Sequence, residues 1–161
     1  QNRAWNFCLM KVFRLSKKKY ATAFNGKGAA KSNNRWNSKG TEIIYTAESR
    51  ALAMAEVVVH LTIATLPEDF VMLTIYVPDE ITIKKIDLKD LDKNWNTILP
   101  NSKTKKIGDL FIETSDFCVL KVPSAVVKDD FNYLINPYHT EFKKIKIVDV
   151  TDFPFDKRMF Q

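Results

Sequence analysis

Arg35-Trp36-Asn37-Ser38-Lys39-Gly40-Thr41-Glu42-Ile43-Ile44-Tyr45-Thr46-Ala47-Glu48-Ser49 runs directly into Arg50-Ala51-Leu52-Ala53-Met54-Ala55-Glu56-Val57-Val58-Val59-His60-Leu61. A polar loop carrying an arginine leads into a short strand over residues 42–46, and a helix is predicted over 49–61. Ala47-Glu48-Ser49 supplies the helix cap, and neither Gly nor Pro interrupts residues 50–61. The helix is apolar nearly all round, which predicts burial on more than one side. One carboxylate, Glu56, sits in its apolar middle. An unpaired carboxylate is expensive to bury, so its presence there needs a reason.

Working outward, residues 10–15 alternate well enough for an opening strand. Ser16 is placed to cap a short helix over 17–23. Residues 24–41 form a polar loop without periodicity, longer than ordinary connections and of the length that tends to be functional. Three of the four glycines, Gly26, Gly28 and Gly40, fall within it. Strands are predicted over 70–77, 81–88, 117–122 and 144–150, and a second helix over 107–114. Residues 90–106 read as an irregular connection anchored by Trp95, and 132–138 as a turn-rich segment. Strands dominate without alternating regularly with helices. The expected class is therefore α+β, one domain with a mixed or antiparallel β core and flanking helices. No Gly-x-Gly-x-x-Gly or Walker loop occurs, so a nucleotide would bind by another geometry.

Hydrophobic residues make up 45% of the 161 and charged residues 27%, ordinary values for a globular protein with a real core. The net charge of +6 suits an anionic partner, or else reflects scattered lysines that maintain solubility. The lysine runs at 17–19, 103–106 and 143–144 lie far apart and carry no interleaved aromatic ladder, which weakens a nucleic-acid reading. Cys8 and Cys118 make no disulfide framework or metal knuckle, and the two histidines lack ligand spacing, so no metal site is visible. No apolar run approaches the roughly 20 residues that span a bilayer. Residues 1–9 are too short and mixed for a signal peptide and read as a leader before a domain at 10–161, with a cytoplasmic location expected.

Two readings compete for Glu56. It pairs with His60 one turn away, worth a few tenths of a kcal/mol, or it faces a cleft and is held ionised by Arg35 or a substrate. The second is favoured because the helix has no other polar face. Arg35 offers a planar fork that matches phosphate oxygens. Tyr45, at a strand end, either packs or presents its ring to a planar base. Arginine, tyrosine and glutamate together suit a site that grips a phosphate-bearing ligand and steadies positive charge on a sugar. Trp36 reads foremost as a core or loop anchor. Ser124 follows Val122-Pro123 as a turn hydroxyl, with no Gly-x-Ser-x-Gly elbow to make it a hydrolase nucleophile. Asn132 and Asn136 read as turn formers.

Together these segments resemble the RES domain, a family named for an arginine, a glutamate and a serine. The resemblance rests on residues 35–41, on 44–49, on Leu52-Ala53 with 56–61, on Val122-Pro123-Ser124-Ala125-Val126-Val127, on 132–139, and on the tail from Ile145 to Phe155. It implies the toxin of a bacterial toxin–antitoxin pair, with a fold similar to ADP-ribosyltransferases. The implied activity is destruction of NAD+ by hydrolysis or phosphorolysis of the nicotinamide–ribose bond, with NAD+ as substrate and no cofactor. The implied partner is an Xre-type antitoxin that covers or fills the active site, with the toxin as a homodimer in a larger complex. By motif, Arg35, Tyr45 and Glu56 carry over as catalytic residues. Arg35, Trp36, Tyr45, Ser124 and Asn136 carry over as substrate-binding residues. Two alternatives stand beside this: an ADP-ribosyltransferase acting on a protein or nucleic acid, and a basic nucleic-acid-binding toxin without NAD chemistry.

Overall fold

β1 (Met10–Lys17) and β3 (Phe70–Val77) pair antiparallel along their full length, from Met10 against Val77 to Lys17 against Phe70. This pair is the backbone of a mixed sheet in a computed structural model that describes residues 10–61, 68–99 and 101–160. The leader expected at 1–9 and Cys8 lie outside the described residues. The other strands are β2 (Ile44–Ala47), β4 (Ile83–Lys85), β5 (Val119–Pro123), β6 (Phe131–Ile135) and β7 (Lys146–Asp152). Their order is β4-β5-β6-β2-β1-β3-β7, seven strands in which only β4 and β5 run parallel. Two helices, α1 (Arg50–Val58) and α2 (Ser102–Thr114), complete an α+β fold, as the sequence implies.

Strand alternation divides the core. On one face, Val12, Ile44, Val71, Leu73, Ile75, Val119 and Ile135 are buried beneath loops that contribute Ala21, Ile81 and Ile145. On the other, Phe13, Leu15, Ala47, Phe70 and Met72 receive Leu52 and Ala53 of α1. Leu120, Val122 and Leu134 there meet Trp36, Trp95 and Phe111, the last from α2.

Several expectations shift. α1 buries only Leu52 and Ala53, while Ala51 and Val59 are exposed, because the helix lies on a single sheet face rather than between two layers. The short helix expected at 17–23 is one 3-10 turn, Lys18–Tyr20, since β1 continues to Lys17. Pairing trims the strand expected at 81–88 to Ile83–Lys85. α2 starts earlier than expected, where the Asn101 side chain accepts from Thr104 N at 3.0 Å. The segment expected to turn at 132–138 instead supplies β6. Asn132 is a poor strand former on propensity, yet it is fixed between Ala47 of β2 and Val122 of β5.

Candidate active site

Leu52 and Ala53 fix which face of α1 points at the sheet. Glu56 lies four and three residues further on, so it follows them onto that face. There it meets the end of β5, where Ser124 Oγ donates to Glu56 Oε1 at 2.9 Å. The serine hydroxyl is itself oriented, because it accepts from Val126 N at 3.1 Å and Val127 N at 3.0 Å. With its oxygen holding two amides, the remaining O–H has one direction to point. Ser124 is thus a positioner of the carboxylate, held by the turn from Pro123 to Asp130 in which Asp129 adopts a left-handed backbone.

Burial raises the Glu56 pKa above the ordinary carboxylate value. Hydrogen bonding from Ser124 and Asn132 opposes that rise, as do the charges of His60 and Arg35. The Glu56–His60 pairing therefore survives as one contribution among several, with no direct hydrogen bond between them among the described residues. Asn132, buried on β6 beside Ala47, also donates from Nδ2 to Thr46 O at 3.2 Å. Sequence reasoning, which takes it for a turn former, misses it as a site residue. The available signal is a polar side chain at an inward position between Phe131 and Tyr133, a place where only a partnered group is tolerated.

Arg35 is half-buried. Its Nη1 donates to Trp95 O and its Nη2 to Thr97 O, both at 2.6 Å. Of five N–H donors, three remain for another acceptor. Burial lowers its pKa, and Glu56 and Tyr45 act in the opposite sense, so guanidinium and carboxylate lie in each other's field. Trp95 and Ser124, the respective supports of Arg35 and Glu56, border one cleft of about 660 Å³. It opens at the C-terminal ends of β4 and β5, with Lys85, Ile86 and Phe131 on its walls.

The loop that carries Arg35 is wired internally. Tyr45 Oη donates to Asn37 Oδ1 at 2.6 Å and accepts from Trp36 N at 3.3 Å. Burial pushes its pKa well above the ordinary tyrosine value, so the phenol stays neutral. Asn37, fully buried, donates to Ala29 O at 3.0 Å and Ser38 O at 3.1 Å. α2 clasps the loop from outside: Ser38 N donates to Asp109 Oδ1 at 2.8 Å, and Gly108 lies against the Trp36 carbonyl. Tyr45 therefore shapes the loop with its hydroxyl and adds its ring to the core around Trp36 and Trp95.

Two expected substrate-binding residues are placed elsewhere. Trp36 is 3% exposed and packs on Trp95 with ring centroids 6.0 Å apart, leaving no face for a ligand; it is the loop anchor. Asn136 is fully buried in a turn, donating to Ser115 Oγ at 3.0 Å and accepting from Tyr138 N at 2.9 Å. Its amide is occupied holding the end of α2 to the end of β6. Arg35, Tyr45, Glu56 and Ser124 are brought together; Trp36 and Asn136 serve the scaffold.

Among known proteins, the RES domain family model matches residues 11–156 of this chain. The chain is 36% identical over 152 residues to the Toxin Res of Photorhabdus laumondii, covering 93% of this chain and 97% of that protein. It is 34% identical over 143 residues to the Prs ADP-ribosylating toxin of a Sphingobium species, covering 88% and 89% respectively. In fold it is similar to a chain of the M. tuberculosis MbcT–MbcA toxin–antitoxin complex, with a TM-score of 0.75 and 18% identity over 91% of this chain and 85% of that one.

Proposed function

The chain belongs to the RES domain family, and on that footing we propose that it is the toxin of a toxin–antitoxin system that cleaves the nicotinamide–ribose bond of NAD+. One observation carries the chemical part. Glu56 is a carboxylate held in a site that disfavours its charge, aimed by a serine hydroxyl that is itself fixed, and lying in the field of Arg35. A fold retains such a group when the charge is needed.

The chemistry builds on that geometry. The spare N–H groups of Arg35 suit a pyrophosphate oxygen. The C–N bond to nicotinamide breaks with its electron pair leaving on the ring nitrogen, and positive charge builds on the ribose. Glu56, aimed by Ser124, stabilises that charge more strongly than it would in water, because its orientation is set before the reaction begins. Water or phosphate then forms the new C–O bond and releases its proton to solvent. The relative named as an ADP-ribosylating toxin supports a second reading, in which a macromolecular side chain is the acceptor at the same ribose carbon.

Purified protein incubated with NAD+, with and without phosphate, tests both. Free nicotinamide with ADP-ribose or its 1″-phosphate is expected. Radiolabel transferred from NAD+ to a protein or RNA would favour the second reading, and intact NAD+ in the presence of folded protein would overturn both. An antitoxin partner that covers the cleft between Trp95 and Ser124 fits the same proposal. Its expected effect is loss of NAD+ turnover in the complex.

A further inference from the structure

At the opposite end of β5 from Ser124, three donor side chains converge that take no part in the proposed NAD+ chemistry. Cys118, His139 and Glu141 come from two segments far apart in sequence, and their ligand atoms lie within 4.8 Å of one another. At about 3.3 Å per strand residue, this cluster is roughly 20 Å from Ser124. We propose that Cys118, His139 and Glu141 form a binding site for one divalent cation of the zinc type, with a fourth position open to water.

The donor set fits that class of ion. Thiolate, imidazole and carboxylate are the three protein ligands of zinc. A tetrahedral zinc with bonds of about 2.0–2.3 Å places its ligand atoms roughly 3.3–3.8 Å apart, so a contraction of about 1 Å completes the site. Cys118 is fully buried, while the side chains of His139 and Glu141 are 11% and 22% exposed, which leaves a way in from solvent.

The surroundings already hold the ligands in place. Thr82 donates to Glu141 Oε2 from its amide at 3.1 Å and from its hydroxyl at 2.9 Å. The same threonine hydroxyl accepts from Cys118 N at 3.1 Å. Glu141 N donates to His139 Nδ1 at 3.1 Å, so that nitrogen bears a lone pair rather than a proton, and it lies 3.7 Å from Glu141 Oε2. A metal takes over that lone pair from the amide. Supporting hydrogen bonds of this kind orient metal ligands and set the histidine tautomer. Burial and the neighbouring Glu141 push the Cys118 thiol up to about 12, so the metal must displace one proton from sulfur, which passes to solvent. A bound ion would tie the start of β5 to the β6–β7 connection and, through Thr82, to the approach to β4.

The test uses the whole chain, stripped with a chelator and dialysed. Cobalt(II) is expected to bind once per chain and to give a near-ultraviolet thiolate-to-cobalt charge-transfer band. Zinc is expected to compete it away and to raise the melting temperature. Cys118→Ser should abolish the band, and Glu141→Gln should weaken zinc at least about tenfold while keeping the metal-free melting temperature. The partly exposed position of Glu141 keeps the test decisive if Cys118→Ser fails to fold. Folded wild-type protein that gives no charge-transfer band, or Glu141→Gln that binds zinc as tightly as wild type, overturns the proposal. NAD+ turnover is not the readout, so failure here leaves the proposed activity untouched.

Discussion

Replacing Glu56 by Gln keeps the shape of the side chain and the acceptor for the Ser124 hydroxyl but removes the charge. Two effects of opposite sign result. Losing one preoriented electrostatic group costs about 10²–10³ in rate, or about 2.7–4 kcal/mol of transition-state stabilisation. The fold, by contrast, should gain. Burial raises the folded-state pKa of Glu56 above its unfolded value. The stability linked to such a group is fully present below the unfolded pKa and is lost as pH rises through the folded one. At pH 7.5 wild type therefore carries the whole penalty, and Gln does not. Each unit of elevation corresponds to about 1.4 kcal/mol, which in a chain of this size is roughly 3–6 °C in Tm, trimmed by solvent screening because Glu56 is only half-buried. The assay pairs nicotinamide release with thermal melts at pH 7.5 and pH 4. The expected result is an inactive variant that melts higher than wild type at pH 7.5, with the gap closing toward pH 4. Equal activity would refute the charge argument, and a Tm gap independent of pH would refute the account of why Glu56 is strained.

Ser124→Ala removes the donor to Glu56 and leaves the Val126 and Val127 amides without their acceptor, at about 1–3 kcal/mol for an unsatisfied buried group. The Glu56 pKa then rises further, so the acid limb of the kcat/KM profile moves to higher pH; an unmoved limb counts against Ser124 as the positioner. Tyr45→Phe keeps the ring and loses the bonds to Asn37 and Trp36, loosening the loop under Arg35. Steady-state kinetics should show KM rising more than kcat falls, with about 1–2 kcal/mol lost in denaturant melts. Gly108→Ala places a Cβ 1.6 Å from the Trp36 carbonyl oxygen, inside any tolerable contact. That variant should lose more than about 3 kcal/mol of stability, read from its urea midpoint.

The elements with strong local signals are legible in the sequence. β3 falls at Phe70–Val77 as expected because its β-branched run can do little else, and Ser49 caps α1, accepting from Leu52 N at 3.1 Å. Glu56 stands out because a carboxylate on an apolar helix has few innocent explanations, and Ser124 because it ends a strand inside a recognisable motif. What sequence does not supply is direction. The motif makes Trp36 and Asn136 ligand contacts, yet the Trp36 ring is sealed against Trp95 and the Asn136 amide closes a turn. Propensity makes Asn132 a turn former, and pairing on both sides turns it inward instead. The reach of Arg35 to carbonyls sixty residues onward, at Trp95 and Thr97, has no local trace. Tertiary contacts of that kind decide which polar groups face a cleft, and spacing along the chain does not encode them.

Asn37 gathers the turns of the long loop around one amide, and Tyr45 fastens that amide to the sheet. The segment around Arg35 thus gives up its freedom when the chain folds rather than when a ligand arrives. Association at that arginine should be fast and free of a slow rearrangement phase. Calorimetry should then record a modest entropic loss, unlike that of a floppy lid closing over its guest.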